Sequence, residues 1–304
     1  MPRRHADHFR IALVLDYLGE RDLARAQLAI VLAAFVEVDA AYLRAHSSAP
    51  SLRRLLGTPR SGAADGRLRY EDEPQGYRPP GEEDLQDVPT ILRPRRDGTR
   101  AASNRDLVAW RVAELRVREK VPAEIVVERR VPDEAGPDVP LFWYRTKVGL
   151  PNGGEEDLSP GQGWRPVMGR SRLVFVLDLF DGPRDRKLSE EVLQILLRAL
   201  TEIDAIFLRG HPETPMLYRS GVVYREEPPG MEDWQDIPTS LRLGKSDCDD
   251  LGPWRAAEIQ VRERTPAEPY FASAKRKGGG MLYHILVNAK GRPPEDPSYV
   301  LGMR

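Results

Sequence analysis

The stretch VLDLFDGPRDRKLSEEVLQILLRALTEIDAIFLRGH, residues 176–211, decides the fold of this chain. With the residues before it, it begins as RLVFVLDLF, an apolar run rich in branched and aromatic side chains that predicts a strand. After a Gly-Pro break, apolar residues recur every three or four positions, which predicts a long helix. The apolar helix positions are Val192, Ile195, Leu196, Ala199, Leu200 and Ile203.

The same strand and helix pattern occurs earlier in the chain. Three pairs of stretches match in the same order: residues 14–46 with 176–211, 70–92 with 224–241, and 103–124 with 246–268. Matching stretches in a fixed order indicate a tandem duplication of one domain. The copies join within PNGGEEDLSPGQGWRPVMGRS, where Gly and Pro interrupt regular structure. We therefore predict two domains, residues 1–164 and 165–304.

Each copy predicts an α+β fold. In the second copy a short strand is expected at SGVVYREE, and a second helix is expected to begin near Cys248. A final strand pair is expected at MLYHILVNA and at the terminal SYVLGM. We expect each domain to be a helical layer against a small antiparallel sheet.

Composition and charge exclude several classes of protein. The chain has 46 basic and 47 acidic residues, so it offers no excess positive charge for nucleic acid. The apolar run that begins at Leu23 is interrupted by Arg25, Glu37 and Asp39, which favours a buried helix over a membrane span. The first residues lack the pattern of a signal peptide. We expect a soluble, cytoplasmic protein that binds neither nucleic acid nor a membrane.

Cys248 is the only cysteine, so no internal disulfide can form. A thiol at the start of a helix lies near unpaired N–H groups and the positive end of the helix dipole, which favour the thiolate. The neighbouring Asp247, Asp249 and Asp250 oppose this effect unless they cap the helix. Cys248 is therefore either an apolar filler of the core or a reactive group that needs a nearby cation.

His284 and Asp296 are the candidate partners of Cys248. Of the five histidines, only His284 lies on a predicted strand and has no histidine at the matching position of the other copy. Asp296 follows closely enough to orient its ring, which gives a candidate triad in chain order. Taken separately, the three residues also fit an inert thiol, a structural histidine and a turn-forming aspartate before proline.

The first copy serves as an internal control. The candidate residues align with these residues of the first copy: Asn104, Arg145 and Asp157. The cysteine and the histidine are thus replaced together, which favours their acting as one unit. An arginine and a glutamate occur in both copies and predict a structural ion pair: Arg111 with Glu114, and Arg255 with Glu258.

GKSDCDDLGPWRAAE, followed by YHILV and EDPSYVLGM, resembles the bacterial and phage-associated members of the transglutaminase-like cysteine hydrolase superfamily. That family's motif is Gly-Asp-Cys-Asp/Glu-Asp at a helix start, then a strand histidine and a strand aspartate. The resemblance covers residues 172–304, with Ser246 where the family commonly has glycine. It implies two papain-like α+β domains, of which the first is degenerate.

In the second domain the resemblance implies that Cys248 is the nucleophile, His284 the general base and acid, and Asp296 the residue that orients the imidazole. It also implies a polar side chain upstream for the oxyanion. Gln235 is the first candidate and the Trp234 indole the second. Gln86 matches Gln235 in the first copy, which favours a structural role at that position. For this reason the oxyanion assignment stays open.

The leading hypothesis is a hydrolase or acyl transferase that attacks an amide of a protein or peptide and forms a thioester. Water would make it a peptidase or amidase, and a lysine would make it a transamidase. The alternative is a non-catalytic structural or interaction protein of a phage-like particle, built on the same fold. We expect no cofactor. One cysteine and one histidine are too few ligands for zinc unless several aspartates join them.

Overall fold

A computed structural model of the chain describes residues 9–56, 68–70, 82–94, 100–130, 143–156, 158, 170–177, 186–228, 232–275 and 281–303. In these residues the protein is a mixture of helices and several small sheets, which agrees with the predicted α+β class.

The first copy begins with a strand and a long helix, as the sequence predicts. Its elements are β1 (Phe9–Asp16), α1 (Arg21–Ala45), α2 (Leu52–Leu56), β2 (Leu68–Tyr70), β3 (Glu82–Gln86), α3 (Val88–Leu92), β4 (Arg100–Ala102), α4 (Asn104–Glu114), β5 (Glu124–Arg130), β6 (Trp143–Gly149) and β7 (Glu155–Glu156). A π-helical turn, Leu115–Glu119, continues α4.

The second copy repeats this order. Its elements are β8 (Arg170–Leu177), α5 (Arg186–Gly210), β9 (Val223–Tyr224), β10 (Asp233–Gln235), α6 (Ile237–Leu243), β11 (Lys245–Ser246), α7 (Cys248–Arg262), β12 (Ala267–Lys275), β13 (Met281–Ala289) and α8 (Pro297–Val300). A short 3-10 turn, Leu217–Arg219, takes the place of α2. The repeated order of elements supports the duplication that the sequence predicts.

The predicted final strand pair is wrong in its second member. β13 pairs antiparallel with β12, whereas the terminal segment forms α8. The Asp296 side chain accepts a hydrogen bond from the Tyr299 N–H at 3.0 Å, and Pro297 occupies the first helical position. Both features favour a helix start over a strand. The sheets are also mixed, because β2 with β4, β9 with β11 and β1 with β10 are parallel pairs.

The chain divides into two compact units that do not coincide with the predicted halves. Unit 1 contains Met1–Ile11, Val31–Met168 and Leu173–Ser189, and unit 2 contains Ala12–Ile30, Gly169–Arg172 and Glu190–Arg304. The boundary at 164/165 therefore describes the repeat in the sequence, while each unit includes a segment from the other copy.

The exchanged segments carry equivalent strands. In unit 2, β1 pairs with β10, and the Val14 carbonyl accepts a hydrogen bond from the Asp236 N–H at 3.2 Å. In unit 1, the Val176 carbonyl of β8 accepts the same hydrogen bond from the Asp87 N–H at 3.3 Å. Since β1 and β8 have the same apolar pattern, each strand can accept the equivalent backbone hydrogen bond, from Asp236 or from Asp87.

Helix α1 is the one candidate membrane span in the described part of the chain. Its most apolar window has a mean hydropathy of 1.7, and 67% of that window is buried inside the protein. A mostly buried helix of this kind is typical of a protein core. The finding is consistent with a soluble protein.

Unit 2 packs its apolar residues around α7. A buried cluster joins α5, α6 and α7: Ala205, Phe207, Leu208, Leu217, Val222, Ile237, Leu251, Trp254 and Ala257. Trp254 of this cluster is 1% exposed, and its counterpart Trp110 in α4 is fully buried. The cluster fixes α7, and therefore fixes the position of Cys248 at its first residue.

Candidate active site

Cys248 begins α7, as the sequence predicts. Asp250, in the first turn, holds the segments before the helix: its Oδ1 accepts from the Gln235 N–H at 2.6 Å and its Oδ2 from the Asp247 N–H at 3.3 Å. Asp106 does the same in the first copy, where it accepts from the backbone of Gln86. This anchoring carboxylate is thus common to both copies and belongs to the fold.

His284 lies on β13, opposite Ala272 of β12. Its Nε2 is 2.9 Å from Oδ2 of Asp296, so the predicted contact between the imidazole and the aspartate is present. Because an ionised carboxylate can only accept, the neutral imidazole carries its proton on Nε2 in this contact and keeps its lone pair on Nδ1. The pair therefore presents a basic nitrogen that is already oriented.

The start of α7 lies against the strand that carries His284. The backbone N–H of Ile285, the next residue on β13, is close enough to the Cys248 thiol to lower its pKa. One turn into the helix, a Cβ placed on Gly252 would come within 2.4 Å of the Ile285 side chain, so only glycine allows this approach. These contacts put the thiol beside β13, and a direct contact between Cys248 and His284 stays a prediction.

The thiol is partly buried, and its environment favours the protonated form. Burial raises the pKa of Cys248 to about 12, with the negative charge of Asp247 as the second cause, while the Ile285 N–H acts in the opposite direction. Desolvation and a neighbouring carboxylate outweigh the helix start.

Three aspartates surround the helix start. Carboxylate oxygens of Asp247, Asp249 and Asp250 lie within 4.8 Å of one another, so these residues could hold a cation. Burial raises the pKa of Asp249 and Asp250 well above the ordinary value, and the charge of Asp247 adds to this effect. Asp250 already accepts two backbone N–H groups, so the cluster offers a metal ion few free oxygens.

Gln235 lies in β10 at the edge of a groove of about 490 Å³. The groove is lined by Arg225, Glu226, Glu227, Pro228, Asp233, Gln235, Leu243, Lys245, Ser246 and Asp247. The neighbouring Trp234 is 2% exposed and does not line the groove. Successive strand residues point to opposite faces, so Gln235 is the better of the two oxyanion candidates.

The equivalent position of the first copy has no nucleophile. Asn104 begins α4, and its Nδ2 donates to the Thr146 carbonyl at 3.4 Å. The registers of the β5–β6 and β12–β13 hairpins place Arg145 at the position of His284. Asp157 lies outside the described residues. The first copy therefore lacks both the cysteine and the histidine at the positions that match Cys248 and His284.

An ion-pair network holds the turn before Asp296, as the repeated arginine and glutamate predict. Arg255 donates to Glu258 at 2.8 Å and to Glu295 at 2.9 Å, and the Tyr218 hydroxyl also contacts Glu295. Sequence reasoning missed Glu295 and Tyr218, together with the acidic groove residues. The position of Glu295 directly before Asp296 is the feature of the sequence that could have identified it.

Comparisons of the chain with models of protein families, with curated proteins and with solved structures found no match.

Proposed function

We propose that the second copy contains an acyl-transfer site that acts on an amide of a protein or peptide through a thioester on Cys248. The main support is the 2.9 Å contact between His284 Nε2 and Asp296 Oδ2, on the strand whose Ile285 N–H lowers the pKa of the Cys248 thiol. A nucleophile, an oriented base and an orienting carboxylate are the parts that this chemistry needs.

In the proposed reaction the resting thiol is neutral, and His284 Nδ1 takes its proton as the sulfur attacks the carbonyl carbon. Asp296 keeps the Nε2–H in place and stabilises the imidazolium that forms. Gln235 is the proposed donor of an amide N–H to the oxyanion. The imidazolium then protonates the leaving amine, and the thioester remains on Cys248.

The thioester is resolved by a second nucleophile. Attack by water, deprotonated by His284, releases a carboxylic acid and makes the protein a peptidase or amidase. Attack by a lysine amine gives a new amide and makes it a transamidase. Both outcomes regenerate the Cys248 thiol.

The proposal is tested by acylation with an activated ester such as p-nitrophenyl acetate. Intact-mass analysis and peptide mapping would measure the rate at which Cys248 gains the acyl group. We expect the rate to fall in His284→Ala and to be unchanged in His46→Ala, a histidine of the first copy outside the site. Equal rates in His284→Ala and the parent protein would rule out the proposed base.

One observation favours a second candidate function, a non-catalytic interaction protein such as a component of a phage-like particle. The thiol pKa is raised to about 12, which is unusual for a nucleophile at rest. A correctly folded protein whose Cys248 is not acylated would support this alternative.

A further inference from the structure

We infer that the groove beside Cys248 binds a positively charged side chain of the substrate, a lysine or arginine near the amide that is attacked. The inference rests on the proposed function and names its substrate class. The groove, of about 490 Å³, can hold such a side chain, and Pro228 and Leu243 offer apolar surface to its alkyl stem. Its remaining lining is mostly polar or charged.

Two acceptors in the groove wall support a ligand with several N–H donors. Gln235 is 8% exposed, and its Oε1 accepts no hydrogen bond from the described part of the chain. The same holds for Oδ1 of Asp247, the residue before Cys248. Buried acceptors without donors are unfavourable, and an ammonium or guanidinium carries three or more donors that can satisfy them.

Of the four carboxylates that line the groove, three are left for the ligand. Asp233 already forms an ion pair with Arg172 at 2.5 Å, which offsets its charge. Glu226, Glu227 and Asp247 remain, of which Glu226 is exposed. Burial raises the pKa of Glu227 to about 7, and repulsion from nearby carboxylates, Asp247 first among them, adds to this effect, so Glu227 and Asp247 disfavour each other's charge. A cationic group between them would relieve this repulsion.

The positively charged residues of the groove act against such a ligand. Arg225 and Lys245 also line it, so the groove is not uniformly negative. Neither is among the main influences on Cys248, whereas Asp247 directly raises the pKa of the thiol. The region next to the sulfur is therefore negative, and this is where a cation would bind most favourably.

Binding of a cation at Asp247 would also activate the thiol. The charge of Asp247 is the second cause of the raised pKa of Cys248, after burial. A substrate ammonium would offset that charge and shift the thiol toward the thiolate. The cation would thus select the substrate and promote the attack on it.

A metal ion is the competing ligand. Calcium and magnesium take six or more oxygen ligands, but both oxygens of Asp250 accept backbone N–H groups and Asp249 does not line the groove. Oδ1 of Asp249 also accepts no hydrogen bond from the described part of the chain, but among the residues with free acceptors only Gln235 and Asp247 line the groove. The experiment must therefore distinguish binding of a metal ion from binding of an organic cation.

The experiment measures alkylation of Cys248 in the full chain by iodoacetamide, a neutral reagent, at pH 8. Acetyl-lysine methylamide, acetyl-norleucine methylamide or calcium chloride is added at one ionic strength. We expect the lysine compound to accelerate alkylation up to roughly tenfold, which corresponds to one pKa unit, and the norleucine compound to have no effect. Equal rates with both amides, or acceleration by calcium alone, would overturn the inference.

Two variants locate the effect. Asp247→Asn and Glu227→Gln should each reduce the acceleration by the lysine compound. If one of these variants fails to fold, the other still tests the inference. The matched control is Glu202→Gln, a carboxylate of α5 outside the groove, which should keep the full acceleration. Persistence of the full effect in both groove variants would also refute the inference.

The alkylation measurement needs no turnover, so it separates the two proposals. Acylation that depends on His284 without any lysine effect would support the enzyme and reject the cationic substrate. A lysine effect that requires Asp247, in a protein whose acylation does not depend on His284, would support cation binding in the groove and reject the proposed chemistry.

Discussion

The thiol of Cys248 is governed by its immediate surroundings. Its position at a helix start favours the thiolate, but burial and Asp247 favour the thiol more strongly, and its pKa rises to about 12. A neutral resting thiol needs a base during attack, and in the proposed function His284, in contact with Asp296, is that base. The site therefore fits a mechanism in which the thiol proton is transferred during the attack. It does not require a thiolate–imidazolium ion pair in the resting protein.

The pH dependence of Cys248 alkylation follows from this pKa. We expect the iodoacetamide rate at neutral pH to be far below that of the same thiol in guanidinium-unfolded protein, whose pKa is about 8.5. The rate should keep rising with pH well above 9, since thiolate increases about tenfold per pH unit below the pKa. Mass spectrometry of quenched samples gives the rates. A plateau reached by pH 7 would show that the thiolate is present at rest.

Substitution of Asp296 should separate orientation from capping. Asp296→Asn can still accept the Tyr299 N–H that starts α8, so the fold should remain. The neutral side chain no longer stabilises the imidazolium, so acylation of Cys248 should fall, though less than in His284→Ala, where we expect a loss of about 10²–10⁴. Circular dichroism checks folding. Equal acylation in Asp296→Asn and parent protein would remove this carboxylate from the mechanism.

At the scale of the helices, buried carboxylates repeat in both copies. Asp39 accepts from the Val88 N–H at 2.9 Å and Asp204 from the Ile237 N–H at 3.0 Å, in each case the first residue of a short helix. Both aspartates are fully buried, and desolvation raises their pKa well above the ordinary value. The first residues of α3 and α6 are thus held by buried carboxyl groups whose protonated form is favoured.

Asp204 should make stability depend on pH. Since its pKa is raised in the folded protein, its contribution is fully present below about pH 3.8 and is lost as pH rises toward the folded value. Asp204→Asn removes this dependence, so relative to the parent protein the variant should gain stability between pH 4.5 and 7.5. Urea midpoints at the two pH values measure the difference. A parallel shift of both proteins would contradict the raised pKa.

The ion pair within α7 should be essential to the fold. Glu258 is fully buried and accepts from Arg255 and from the Leu217 N–H. Glu258→Ala leaves a buried guanidinium and a backbone N–H without this acceptor, so we expect a loss of about 3–5 kcal/mol in unfolding free energy. Glu114→Ala, the counterpart in the first copy, should cost a similar amount. Losses below about 1 kcal/mol, the value of a surface pair, would contradict this role.

At the scale of the whole molecule, the two copies exchange equivalent strands. β1 of the first copy belongs largely to unit 2, and β8 of the second belongs largely to unit 1. Exchange of an identical element conserves every local contact, so it requires no change in either sequence pattern. Each unit nevertheless depends on a strand that lies far away in the sequence, 86 residues from Thr90 to Val176 in unit 1.

Matched substitutions in β1 and β8 should reveal the exchange. Leu13 lies opposite Trp234 in unit 2, and Phe175 packs on Phe35 in unit 1. Both are fully buried, so replacement by alanine should cost about 2–5 kcal/mol. Hydrogen exchange should increase in β10 and α6 for Leu13→Ala, and in β3 and α3 for Phe175→Ala. If Leu13→Ala instead increased hydrogen exchange in β3 and α3, and Phe175→Ala in β10 and α6, each strand would belong to its own copy.

Much of the candidate site could be predicted from the sequence. The duplication follows from matching stretches, and the helix start at Cys248 and the His284–Asp296 pair follow from short-range patterns and from comparison of the two copies. These features depend on residues close in sequence, or on a repeat that the chain itself contains. The sequence by itself therefore determined most of the elements, the terminal helix α8 excepted, and the candidate chemistry.

Only the tertiary structure decided which strand completes each unit and how reactive the thiol is. β1 and β8 have interchangeable patterns, so nothing local distinguishes exchange from pairing within a copy. The pKa of Cys248 depends on how much water is excluded around the sulfur and on the distance to Asp247, which are properties of packing. Spacing along the chain specifies neighbours, whereas solvent exclusion and long-range pairing arise only when the whole chain is folded.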